Sequence, residues 1–303
     1  GCGCGYDPVA KNIRGLVMMR DARAGDEEAI LAFLQPHLKT SMFLASNLLA
    51  HGLFEREHRH GTEYWIVEEG EEIQGIVSVT SQGYFMAQCP DAEDWVWQAF
   101  ADRVKGRELN GMTGDPDQVG RAVSAFRIAQ EQVALDAMDP LMFLDLEALS
   151  DASEGIRAAE QSDIPLLTEW WREYFIDADL KSADDPELND RAEMQAKASV
   201  SEGRTRLLVC DGDVVSMSSI NARVNDMVQM GGVFTPKPLR GRGYAGRVIA
   251  GHLAQERERG ITQSILFAAS ETATKAYEKI GFSQVGYYRL YLTKKPVRLG
   301  ESS

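Results

Sequence analysis

The sequence predicts an α/β protein built from two similar units. A related seven-residue motif opens each half, at 20–26 and 157–163, and each motif precedes a run with the periodicity of an amphipathic helix. Each half continues with a hairpin pattern, at 64–79 and 206–217. One duplicated α/β unit explains both halves, and the convergence of two common patterns is the alternative.

Each opening motif is typical of a short strand followed by a helix. Asp26 and Asp163 are predicted to cap these helices, because an Asp side chain accepts hydrogen bonds from the first unpaired N–H groups. The first hairpin should turn near Gly70. The second should turn at the Asp-Gly pair 211–212, a strong signal for a tight turn.

The rest of the second half predicts a regular series of elements. In order, these are strands at 214–223 and 227–235 joined by a turn at 225–226, a long helix at 241–259, a strand at 264–268, a helix at 271–279, and two final strands within 282–292.

The chain length of 303 residues suits two domains. The polar segment 150–155 interrupts the apolar periodicity and marks the boundary. The predicted division is a flexible N-terminal segment at 1–17, a first domain at 18–150 and a second domain at 151–303.

Composition and charge narrow the possible partners. A net charge of −14 disfavours nucleic-acid binding, and it either favours partners that carry amines or mainly keeps the protein soluble. No apolar run approaches the roughly 20 residues of a membrane span, and no secretory signal is visible, so we expect a cytoplasmic protein. A monomer or homodimer is expected. The cysteines form no cluster with histidines, so no metal is expected.

The most informative segment is 233–246, where a strand ends in a basic, glycine-rich turn that opens a helix. Unpaired N–H groups at a helix start favour a phosphate group. Gly241 and Gly243 would allow a close approach to the backbone, and Arg240 and Arg242 add positive charge. The sequence therefore predicts a phosphate site here.

Two other interpretations of this turn stay open. Residues 241–246 also satisfy the G-x-G-x-x-G dinucleotide pattern, but they follow antiparallel strands, whereas that fold needs the turn at the start of a long βαβ series. The glycines could also serve helix packing alone.

The segment resembles the signature Arg/Gln-x-x-Gly-x-Gly/Ala of the GNAT superfamily of N-acetyltransferases, with Arg240, Gly243 and Ala245 at the defined positions. Downstream, 270–282 is similar to the family's helix Asn-x-x-Ala-x-x-x-Tyr-x-x-x-Gly-Phe, with Ser270 in place of Asn. The resemblance covers about residues 155–293.

The whole arrangement resembles tandem acetyltransferases of the glycine N-acyltransferase-like and mycothiol-synthase-like kinds. It implies two GNAT-like domains, each with a mixed, mostly antiparallel twisted sheet flanked by helices. The loop position of the first half falls near 81–90, where no basic glycine turn occurs. The first half is therefore interpreted as a degenerate copy without cofactor binding.

The resemblance implies transfer of an acetyl or other short acyl group from acyl-CoA to a primary amine of a small molecule or amino acid, by direct attack in a ternary complex. Tyr277 would be the general acid for the departing thiolate, or else a core aromatic residue. The implied acetyl-CoA contacts are Val233, Phe234, Thr235, Arg240, Gly241, Arg242, Gly243, Tyr244, Ala245, Gly246 and Ser270.

The sequence assigns no general base. Asp226 is interpreted as a turn residue, Gln229 could orient substrate or water, and His252 falls on the buried face of its helix. Glu173 and Tyr174 could line the acceptor pocket. An acyl-CoA-binding sensor without transferase activity stays an alternative function.

Overall fold

The computed structural model describes residues 16–150 and 154–301. The predicted flexible segment at 1–17 lies outside these residues except for its last two. The predicted domain boundary falls beside the undescribed residues 151–153, so the division into domains stays a prediction.

The first half contains six strands and four helices within the described residues. In chain order they are β1 (Val17–Asp21), α1 (Glu27–Leu34), α2 (Met42–His51), β2 (Thr62–Glu69), β3 (Glu72–Thr80), β4 (Tyr84–Gln88), α3 (Asp94–Arg103), β5 (Glu108–Gly114), α4 (Pro116–Phe126) and β6 (Val133–Asp145).

The second half repeats the same order of elements. It comprises β7 (Ile156–Ala158), α5 (Ile164–Asp177), α6 (Leu188–Ser201), β8 (Thr205–Cys210), β9 (Asp213–Val224), β10 (Met227–Phe234), α7 (Tyr244–Glu258), β11 (Gln263–Phe267), α8 (Glu271–Glu278) and β12 (Ser283–Arg298). The matching order confirms the predicted duplication of one α/β unit.

The described strands form one sheet in the order β1-β2-β3-β4-β5-β12-β6-β11-β10-β9-β8-β7. Neighbouring strands are antiparallel except for the pairs β4–β5 and β10–β11. The sheet is therefore mixed and mostly antiparallel with helices packed against it, as predicted.

The two halves exchange their last strands. Strand β12 of the second half pairs with β5, and β6 of the first half pairs with β11. The two exchanged strands also pair with each other along most of their length. This exchange, which the sequence did not predict, makes the half-sheets continuous.

Local turn chemistry explains the hairpins. Gly70 has a φ of +66°, and Asp211 and Gly212 have φ of +52° and +88°. Two consecutive positive φ values match the tight turns that suit the twist of antiparallel strands. Both predicted turns are confirmed, as is the turn at 225–226.

The predicted N-caps are wrong in detail. Neither Asp26 nor Asp163 caps its helix with its side chain. Each carboxylate instead binds the arginine six residues earlier. Arg20 Nη1 donates to Asp26 over 2.7 Å, and Arg157 Nη1 donates to Asp163 over 2.7 Å. The motif that opens each half therefore encodes an ion pair between strand and helix, because the charged guanidinium is the stronger donor.

The two predicted final strands are instead the single strand β12. Gly286 lies at a register shift against β6, and the pairing continues beyond it. Strand β12 is held on both sides, by β5 and β6, so the chain stays extended.

No helix in residues 16–150 and 154–301 is long and apolar enough to span a membrane.

We expect Asp163→Asn to lower the free energy of unfolding at pH 7 by about 2 kcal/mol, the usual scale for a hydrogen bond to a charged group. Arg157 holds the pKa of Asp163 below its usual value. This stabilisation is therefore present above the unfolded pKa of about 4 and is lost as pH falls through the lower folded value. Urea denaturation between pH 7 and pH 2.5 should show the two proteins converging at low pH.

The matched control is Glu193→Gln, which removes an exposed ion pair with Lys197 on α6. We expect its effect to stay below about 0.5 kcal/mol. Equal stability of Asp163→Asn and the unsubstituted protein at pH 7 would contradict the role assigned to this pair.

Candidate functional site

The candidate site lies where β10 and β11 separate. The two parallel strands pair only from Met227 to Gln229, whereas β10 pairs with β9 on its other side as far as Phe234. Residues 230–234 therefore have one edge without a neighbouring strand. An unpaired edge offers backbone N–H and C=O groups to an extended ligand. Val233 and Phe234, predicted to contact the cofactor, lie on this segment.

Helix α5 packs directly against this part of β10. Gly232 has a φ of +55°, and a Cβ at this position would collide with the ring of Trp171. The backbone of Gly232 lies close enough to the Tyr174 hydroxyl to lower its pKa, against the larger effect of burial, which raises it. Only glycine allows this close approach, so Gly232 shapes one wall of the opening.

The basic turn places a helix start beside the opening. Gly241 and Gly243 both have a φ of +77°, and a Cβ at either would meet nothing within 4 Å. Helix α7 begins at Tyr244, and its N-cap Gly243 has no side chain to satisfy the first N–H groups. The N–H groups of Tyr244, Ala245 and Gly246 therefore lack intrahelical partners and attract an anion.

The Arg240 side chain is bound to other groups of the protein. Its Nη2 binds Asp177 Oδ2 at 2.6 Å, and its Nε donates to the carbonyl of Thr235 over 2.8 Å. The guanidinium also lowers the pKa of Asp177. Arg240 therefore ties the turn to α5 and to the end of β10. Arg242 is exposed and makes no ion pair within the described residues, so its charge is available to a ligand.

Helix α8 begins at the predicted cap. The Ser270 hydroxyl accepts a hydrogen bond from Ala273 N over 3.1 Å, so serine caps this helix in place of the family's asparagine. Whether Ser270 also contacts a cofactor stays a prediction.

Two tyrosines, Tyr277 and Tyr174, lie within electrostatic reach of each other from opposite faces of the sheet. Tyr277 of α8 packs in the cluster under α7, whereas Tyr174 belongs to α5 on the other face. Burial raises the pKa of Tyr277 well above its usual value, and the Tyr174 hydroxyl raises it further. Within residues 16–150 and 154–301, no protein group is hydrogen-bonded to the Tyr277 hydroxyl. It is therefore available to a ligand.

The structure explains two residues considered as bases. His252 is fully buried, its Nδ1 lies 2.9 Å from Ser218 Oγ, and burial lowers its pKa to about 3. Asp226 accepts a hydrogen bond of 2.5 Å from Thr262 in the turn after β9. His252 is a core residue and Asp226 a turn residue, as interpreted from the sequence.

Gln229 is 1% exposed at the point where β10 and β11 separate. Its Nε2 has no hydrogen-bond partner within the described residues. A buried amide left unpaired is costly, so this group is suited to a ligand or a water molecule in the opening.

The neighbouring α5 residues Glu173 and Tyr174 lie in different surroundings. Glu173 lines a surface groove of 540 Å³ between α5 and the segment 236–238, together with Asp177 and Lys237. Tyr174 instead faces Gly232. Of the two residues predicted to line the acceptor pocket, only Tyr174 is next to the opening.

Asp139 is a residue that the sequence analysis missed. It lies on the exchanged strand β6, where burial raises its pKa. Its charge also contributes to the raised pKa of Tyr174, after the larger effect of burial. In the sequence, the only indication of a role for Asp139 is that a single carboxylate stands beside an apolar run. Its proximity to Tyr174 follows from the strand exchange, which local pattern does not reveal.

No group of three or more His, Cys, Asp or Glu side chains in the part of the chain that the structure describes is arranged to hold a metal ion.

Comparisons with known proteins agree with this architecture. Residues 155–285 match the family model described as an acetyltransferase (GNAT) domain. No curated protein sequence matches the chain.

Solved structures resemble the chain over nearly all of its length. A Drosophila melanogaster protein shares 15% identity over 90% of this chain and 98% of its own, with a TM-score of 0.57. A GNAT-family acetyltransferase from Colwellia psychrerythraea shares 12% identity over 91% and 100%, with a TM-score of 0.52.

A tandem GNAT protein from the clavulanic acid biosynthesis pathway shares 11% identity over 95% of this chain and 100% of its own, with a TM-score of 0.51. At these identities the likeness concerns the fold. The second half of this chain is therefore similar to GNAT acetyltransferase domains over residues 155–285.

Proposed function

We propose that this chain transfers an acetyl or other short acyl group from acyl-CoA to a primary amine of a small molecule or amino acid. GNAT domains use acetyl-CoA as acyl donor. The observation that carries the proposal is the free edge of β10 at 230–234, which leads to the unpaired N–H groups at the start of α7.

An acyl-CoA molecule fits the order of these features. The amide groups of the pantetheine arm would pair with the free edge, at Val233, Phe234 and Thr235. The pyrophosphate would lie at the turn 241–246, where backbone N–H groups and the helix dipole favour anions. Arg242 would add a positive charge, while Arg240 holds the turn in place through Asp177.

Tyr277 is suited to protonate the departing thiolate. Its hydroxyl has no protein partner within the described residues, and its raised pKa keeps the proton in place until charge develops on sulfur. The neutral amine nitrogen would attack the thioester carbon directly, the C–S bond would break, and the sulfur would take the proton of the Tyr277 hydroxyl. The proton released by the nitrogen would return to the Tyr277 oxygen through water. Holding both reactants together supplies much of the rate enhancement.

The first half is not suited to the same task. After Met86 its strand β4 separates from β5, but Gln118 of α4 fills the gap. Its Oε1 accepts from Cys89 N over 2.7 Å, and its Nε2 donates to Gln88 over 2.9 Å. The segment that precedes α3, at 89–93, carries two carboxylates and no arginine. Both features favour a single acyl-CoA site per chain.

The function is tested by thiol release. The protein is incubated with acetyl-CoA and a panel of primary amines, and free CoA is measured with a thiol reagent. We expect release that depends on the amine and is accompanied by an acetylated product in mass spectrometry. Tight binding of acetyl-CoA without amine-dependent release across the panel would favour the sensor function instead.

Calorimetry should show one acetyl-CoA site per chain, and Gly243→Glu should abolish it. The added carboxylate would face the pyrophosphate, where like charges repel. Open space around Gly243 leaves room for the side chain, so the fold should persist with a small penalty from the positive φ.

The matched control is Gly260→Glu after the other end of α7. Gly260 has a φ of +95° and equally open space, so this variant adds the same charge with a similar backbone penalty. We expect its acetyl-CoA affinity to be unchanged. Two equivalent sites, or unchanged affinity in folded Gly243→Glu, would refute the assignment.

Tyr277→Phe should lower the maximal rate at least about tenfold and leave acetyl-CoA affinity nearly unchanged, because general acid catalysis acts in the transition state. The phenyl ring fills almost the same space, and the hydroxyl makes no hydrogen bond within the described residues. The melting temperature should therefore stay within about 1 °C, well below the shift that about 1 kcal/mol would cause. A fully active variant would leave Tyr277 as a core aromatic residue.

A further inference from the structure

Asp139 reaches the site from the other half of the chain. On β6 it lies directly opposite Tyr288 of β12. Alternate residues of a strand face the same side, so Asp139 shares a face with Leu141. Leu141 packs with residues of α1 and α2, whereas Met142 and Leu144 pack under α7. Asp139 is therefore on the sheet face away from α7, where its charge reaches Tyr174.

Aromatic rings border this carboxylate. The rings of Phe267 and Tyr288 are stacked, with centroids 3.9 Å apart and an interplanar angle of 11°. These residues lie on β11 and β12, the two strands that flank β6. The stack therefore crosses β6 next to Asp139, with the Tyr288 side chain buried and Phe267 partly exposed.

The Asp139 carboxylate has no cationic partner among the described residues. Within residues 16–150 and 154–301 its side chain makes no ion pair or hydrogen bond, although it is half-buried. Asp136, three residues earlier on the same strand, binds Arg289 at 2.7 Å. Burying a carboxylate without a partner is costly unless a ligand supplies one. The opposite charge that suits this position is an ammonium group.

We propose that Asp139 recognises the acceptor in its ammonium form, before the nitrogen loses a proton to water and attacks, and that the acceptor is a small primary amine whose apolar or aromatic part lies against Phe267. The proposal rests on the proposed function and adds the class of acceptor. Primary amines are mostly protonated at neutral pH, since ordinary alkylammonium groups have a pKa near 10. The first half would then contribute acceptor specificity while the second half binds acyl-CoA.

The test compares binding of 2-phenylethylamine with that of its uncharged counterpart 2-phenylethanol, by calorimetry on the full chain with CoA present. We expect the amine to bind about 10- to 100-fold more tightly, as for a hydrogen bond to a charged group. In Asp139→Asn this preference should disappear, because the amine loses affinity and the alcohol does not. No preference in the unsubstituted protein, or an equal loss for both probes in the variant, would overturn the proposal.

The matched control is Asp145→Asn at the far end of the same strand. It removes one negative charge, and the new amide oxygen can still accept the hydrogen bond from Glu147 N. We expect its amine preference to be retained. A melting temperature is measured for each variant. Burial raises the pKa of Asp139, so its charge opposes folding at neutral pH and its removal should not lower the melting temperature. A clear drop, with the amine preference intact, would indicate a structural role and overturn the proposal.

Thiol release on the same samples separates this proposal from the proposed function. An amine preference that depends on Asp139, without acetyl transfer, would contradict the transferase function and support the recognition site. Transfer without any amine preference would support the transferase function and overturn the role of Asp139.

Discussion

The main-chain hydrogen bonds of β6 and β12 determine the rest of the structure. Strand β11 needs a partner on the side away from β10, and that partner is β6 from the other half. Strand β5 is covered in the same way by β12. Unpaired backbone groups inside a sheet are costly, so neither half has a complete sheet of its own. The second half therefore depends on the first half to complete its sheet, whether or not the first half binds a cofactor.

The opening between β10 and β11 depends on a few contacts that hold its walls apart. Gly232 lets Trp171 approach β10 closely, and this contact sets the position of α5. The ion pair between Arg240 and Asp177 then joins α5 to the turn that precedes α7. One helix thus fixes the free edge of β10 and the turn before α7 together, which preorganises both for a ligand that touches them.

Features that depend on neighbours in sequence were predictable. The turn at 211–212, the glycines at 241 and 243, and the Ser270 cap follow from local backbone chemistry. Features that depend on distant partners were not. Asp163 binds Arg157 in preference to its own helix N–H groups, β12 remains one strand because it is paired on both sides, and Asp139 meets Tyr174 only through the strand exchange. The local sequence at each of these positions is compatible with either outcome.

Strand exchange also imposes an order on synthesis. The residues of β5 and β6 leave the ribosome long before Ser283–Arg298, which must lie between them. At ribosomal rates of roughly 5–20 residues per second, the interval is on the order of ten seconds. During that time the nascent first half has two strands whose shared neighbour does not yet exist. Such open edges invite pairing with other chains, so this protein is most exposed to aggregation just before its last strand is made.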